Sequence, residues 1–106
     1  MIGSEGDESS EIVSKVTMSR ISSEYLYISP DDKTCEISFR WICTVNGKQM
    51  TTKGDINIFI NSKQVKTLRE APGIIKVDVR EFLKEGTNSV TIEVRDAYGT
   101  AKKLTF

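Results

Sequence analysis

The sequence predicts an all-β chain folded as an antiparallel sandwich. Three observations carry that reading. Short apolar runs alternate with a period of two, turn residues recur about every 8–12 positions, and no stretch holds a helical repeat beyond a single turn. Together they predict about seven to nine short strands, one face of each buried. Hairpin-like turns and one polar side per strand favour two packed sheets over a closed barrel.

The elements follow in order. Residues 1–11, MIGSEGDESSE, are glycine, serine and acid without periodicity, and read as a flexible acidic lead or linker; the sandwich domain spans 12–106. EIVSKVTMSRI gives a first strand and EYLYIS a short second one. Pro30-Asp31-Asp32-Lys33 is a turn tetrad, because proline presets φ and aspartate bonds its own backbone. In CEISFRWICTV the odd positions Cys35, Ile37, Phe39, Trp41, Cys43 and Val45 are apolar, which predicts a half-buried strand with its odd side inward. Asn46-Gly47 ends it as a hairpin or turn.

DINIFIN then places Ile56, Ile58 and Ile60 on one side, and NSKQ turns the chain into a short QVKTL strand. EAPG interrupts, and IIKVDV resumes with Ile75, Val77 and Val79 in one register. REFLKEG reads as one helical turn whose Phe82 and Leu83 plug an end of the core. Gly86 suits a left-handed reversal and Asn88 suits a local backbone clamp. NSVTIEV turns Val90, Ile92 and Val94 inward, Asp96 and Gly99 bracket the DAYG turn, and TAKKLTF closes with Leu104 and Phe106.

Composition restricts function. The 106 residues carry 15 basic and 15 acidic side chains and no histidine. Lacking histidine, the chain has no general base of the commonest type, no Ser–His or Cys–His pair, and no usual zinc ligand. The lead holds four acids, leaving 15 bases against 11 acids over the other 95 residues, an excess too scattered for a nucleic-acid footprint. No apolar run reaches the ~20 residues of a spanning helix. Cys35 and Cys43 stand eight steps apart on one strand, roughly 26 Å at ~3.3 Å per residue, so they are expected to be free buried thiols.

Gly86-Thr87-Asn88, an alternating strand, Asp96-Ala97-Tyr98-Gly99 and a closing strand resemble the C-terminal half of bacterial and phage immunoglobulin-like (fibronectin-III-like) modules. The preceding INIFINSKQVKTL resembles their central hairpin, and IIKVDVREFL the strand before the Gly-Thr-Asn turn. The resemblance covers roughly residues 55–106. Trp41, lying between two cysteines of one strand, departs from the antibody Cys…Trp…Cys pattern. The resemblance implies an immunoglobulin-like sandwich serving as a spacer, adhesion unit or decoration.

The expected role is therefore a non-catalytic structural or interaction module of a larger bacterial surface, adhesion or phage structural protein, without cofactor. It would be placed at the cell surface or in a virion. Its partners would be neighbouring domains, or a protein or glycan surface met through the PDDK, NSKQ and DAYG loops. The isolated chain is expected to be monomeric, since Lys102 and Lys103 discourage pairing at the last strand. The alternative is a carbohydrate-binding module stacking sugars on exposed aromatics, for which Tyr25, Tyr27, Phe59 and Tyr98 are the contact candidates. A third reading sets calcium on Asp31, Asp32, Asp55 and Asp96, all at turns, although turn formation explains each aspartate separately.

Overall fold

Period-two alternation decides which side of each strand is buried, and the computed structural model, which describes residues 12–22 and 27–106, follows it closely. The eight strands are β1 (Ser14–Arg20), β2 (Glu36–Val45), β3 (Lys48–Gln49), β4 (Gly54–Ile60), β5 (Lys63–Glu70), β6 (Gly73–Asp78), β7 (Val90–Arg95) and β8 (Ala101–Thr105). One 3-10 turn, Arg80–Phe82, interrupts them.

All pairings are antiparallel. In the first sheet β2 is central, with β1 along one side and β6 and the two-residue β3 sharing the other. The second sheet runs β5-β4-β7-β8. The chain passes between sheets at each of the connections β3–β4, β5–β6 and β6–β7. The result is an all-β antiparallel sandwich of two sheets.

Between the sheets lie Ile37, Phe39, Trp41 and Cys43 from β2, Ile56, Ile58 and Ile60 from β4, and Ile92 and Val94 from β7, all nearly without solvent exposure. Val16, Cys35, Ile75, Val77, Val79 and Val90 complete this core, and Phe82, Leu83, Leu104 and Phe106 pack against it. Val45, at the strand's end, is half-buried. Both cysteines are free and buried.

Two hairpins use two-residue turns with both residues at positive φ, the geometry whose twist matches that of the flanking strands. Asn46 and Gly47 have φ of 52° and 84°, as the Asn-Gly dipeptide predicts. Asn61 and Ser62 have φ of 52° and 71°, so a serine occupies a position that favours glycine. Gly54 answers a different need. A Cβ there would lie 2.7 Å from the Arg95 carbonyl oxygen and 2.9 Å from Trp41 Cη2, so only glycine lets the indole and the β7 backbone approach this closely.

One expected strand is corrected. Of EYLYIS, residues Tyr27–Ser29 are not in a strand, and Glu24 to Leu26 lie outside the described residues. The local reason is the turn behind it. Asp32 N donates to the Ser29 carbonyl at 2.9 Å and Ser29 N to Asp32 Oδ2 at 2.8 Å, so the segment's end belongs to the Ser29–Asp32 turn. The acidic lead 1–11 also lies outside the described residues.

Candidate functional site

The register assigns each loop to one end of the sandwich. The Asn46-Gly47 turn, residues 50–53, Ala71-Pro72 and the DAYG loop share one end. The PDDK turn, Asn61-Ser62 and residues 79–89 share the other, where Arg80 Nε donates to the Asp32 carbonyl at 2.9 Å. The three loops expected to form one contact surface are therefore split, with DAYG at the opposite end from PDDK and NSKQ.

The four aspartates divide the same way, Asp31 and Asp32 at one end and Asp55 and Asp96 at the other. Among the described residues no three His, Cys, Asp or Glu side chains converge to hold a metal ion. Each acid outside the first turn has its own local use. Asp55 pairs with Arg69 across the sheet at 2.8 Å. Asp96 is buried and organises the DAYG loop: its Oδ1 accepts from Tyr98 N at 2.9 Å and Thr100 N at 2.8 Å, and the Cys43 thiol donates to its Oδ2 at 3.5 Å. Burial pushes this carboxyl up, but the hydrogen bonds from Thr100, Ser14 and Tyr98 outweigh it and hold the group below its usual range. Burial, with the hydrogen bond and the charge of Asp96, pushes the Cys43 thiol up to about 11, so it stays protonated and unreactive at neutral pH.

Asn88 performs the same service at the other end. It accepts from Lys84 N at 3.1 Å, donates to the Lys84 carbonyl at 2.8 Å and receives Asn61 Nδ2 at 2.9 Å. Gly86 beside it has φ of 93°. Asp78 Oδ1 accepts from Cys35 N and Arg80 N, and those two bonds hold its carboxyl low. The motifs with the strongest sequence signal are thus occupied by their own backbone.

The aromatic candidates do not gather. Tyr25 lies outside the described residues, and Tyr27 is fully exposed beside the Ser29–Asp32 turn. Phe59 is half-buried on the outer face of the β5-β4-β7-β8 sheet, over a hollow of about 260 Å³ shared with Ser62, Thr91 and Lys103. The rest of that face is polar: Asn57 donates to Glu93 at 3.2 Å, and Gln64 and Thr67 both donate to Asn57 Oδ1 at 3.1 Å. Tyr98 packs against the core at the far end, its hydroxyl 3.2 Å from Thr52 Oγ1.

Sequence reasoning passed over the residues that close one side of the sandwich. Ser14 Oγ bonds Thr100 Oγ1, and the Arg20 guanidinium donates twice to the Thr105 carbonyl while lying 5.8 Å from the centroid of the Phe106 ring. The signal was present in the alternation, which turns Ser14, Val16, Met18 and Arg20 to one side. The opposite side, between β5 and β6, is an open groove of about 350 Å³ lined by Lys66, Leu68, Glu70 and residues 74–78. Set against family models, curated proteins and solved structures, the chain has no significant match.

Proposed function

We propose that this chain is a non-catalytic immunoglobulin-like module of a larger bacterial surface, adhesion or phage structural protein, working as a spacer and presenting its loop ends to a partner. One observation carries the reading: the residues of the Gly-Thr-Asn and Asp-Ala-Tyr-Gly motifs hold turns. Asn88 and Asp96 direct hydrogen bonds into the backbone of their own loops, which suits a spacer or display scaffold whose hairpins must hold their shape. The two-sheet strand order and the apolar core agree with such a module.

The carbohydrate-binding alternative requires two or more aromatic rings on one sheet face. Tyr27, Phe59 and Tyr98 occupy a loop, an outer sheet face and a core-packed turn respectively, which favours the scaffold reading.

An antibody raised against the domain tests the proposal on blots of source cells and of purified surface or particle fractions. The expected result is a band well above 11.9 kDa in one of those fractions. A soluble band near 11.9 kDa in every fraction overturns it.

A further inference from the structure

We infer that the open β5/β6 side is a two-fold interface at which a second copy of this chain docks, β6 against β6. Among the described residues both strands end their sheets: β6 pairs only with β2, and β5 only with β4. Val79 N donates to the Cys35 carbonyl, so odd residues of this segment direct their backbone groups to β2. By strand alternation the N–H and C=O groups of Ile74, Lys76 and Asp78 point away from β2, free to pair.

Charge selects both the partner and the register. An antiparallel pair about a two-fold axis must match inward with inward residues. Centred on Lys76, it opposes two lysines; centred on Ile75, it sets Lys76 against Ile74. Centred on Val77, it sets Lys76 against Asp78 of the second copy, twice over. Asp78 keeps Oδ2 for that contact, because its two backbone donors both use Oδ1.

The second strand of the groove repeats the pattern. Lys66 and Glu70 flank Leu68, as Lys76 and Asp78 flank Val77, and all six line the one groove. A two-fold through Leu68 opposes Lys66 to Glu70 of the second copy. Both edges are thus self-complementary in charge, which is the requirement of an isologous contact. At the other end of the β5 sheet, β8 carries Lys102 and Lys103 with no acid in its five residues and lacks this property.

Sedimentation velocity on the full chain over a concentration series tests the inference. A dimer is expected in the sub-millimolar range, weakened by added salt and weakened about tenfold or more by Lys76→Asp, which turns two attractive oppositions into repulsive ones. The register has its own test. Val77 would face its copy in a non-hydrogen-bonded pair, with Cα atoms about 4.5 Å apart and within disulfide reach. Under mild oxidation Val77→Cys should therefore cross-link and Ile75→Cys, opposite Val79, should not. A chain that stays monomeric throughout overturns the inference, as does a dimer indifferent to Lys76→Asp or equal cross-linking of the two cysteine variants. If Val77→Cys does not fold, the wild-type and Lys76→Asp sedimentation series decide alone, since Lys76 is exposed.

Discussion

The two sides of the sandwich are held in opposite ways. Along β1 and β8, polar side chains cross from one sheet to the other: Ser14 to Thr100, and Arg20 to the Thr105 carbonyl and the Phe106 ring. Along β5 and β6 no hydrogen bond joins the sheets among the described residues; the charge of Lys66 helps to lower the Asp78 carboxyl, and charged residues line a groove open to solvent. The closed side is built from groups that satisfy one another, whereas the open side carries groups arranged for something beyond the chain. Closure is thus a property of a few named side chains, because the apolar core beneath is continuous to both edges.

The largest effect is expected in the packing that both sides share, at Gly54 of β4. Gly54→Ala drives a Cβ into the Arg95 carbonyl and the Trp41 ring, and neither a backbone atom nor a fully packed indole can yield cheaply. A loss of about 3 kcal/mol is expected in urea unfolding. A loss below ~0.5 kcal/mol would mean that the two sheets are loosely packed here.

Asp96→Ala comes next. It leaves the Tyr98 and Thr100 amides without their acceptor in a partly buried turn, at a cost of about 2 kcal/mol. The same group sets a pH dependence. Its folded pKa lies below the unfolded value near ~3.9, so its contribution is complete above that value and is lost as pH falls through the folded pKa. Asp96→Asn should flatten that part of the acid limb of a stability–pH curve, and an unchanged limb would assign it to other carboxylates.

A direct test of the contrast compares the two sides. Arg20→Ala removes the charged donor from the Thr105 carbonyl and should cost about 1 kcal/mol, while Lys66→Ala in the open groove should stay within ~0.5 kcal/mol. Equal effects in parallel thermal melts would erase the distinction. Smallest is Ser62→Gly, which relieves a left-handed serine beside Asn61 and should gain about 0.5 kcal/mol, with the hairpin unchanged in its NMR shifts.

Much of the fold was legible because its strands obey a strict period of two. Cys35 and the odd residues of β2 through Cys43 are buried as the alternation dictates, and a single helical turn sets Phe82 and Leu83 against the core as read. Asn46-Gly47, Gly86 and Asn88 were legible because so few residues accept left-handed backbone or clamp it. The Tyr27–Ser29 part of EYLYIS was misread because alternation there competes with the Asp32 turn, and β5 runs longer than QVKTL because its mixed pattern hides its ends. The site was less legible. That Asp31 and Asp96 sit at opposite ends follows from strand direction and sheet order, which a list of turn aspartates does not contain. Gly54 gave no signal, since a close approach between β2 and β4 is a fact of packing.

Trp41 has one more consequence. It is the chain's single tryptophan, it has no solvent exposure, and its indole nitrogen has no hydrogen-bond partner among the described residues. An indole so placed emits toward the blue, and its emission moves red once water reaches the ring. The protein therefore carries its own optical gauge, set where β2 crosses Gly54, and a change in tint reports the parting of the two sheets without any added label.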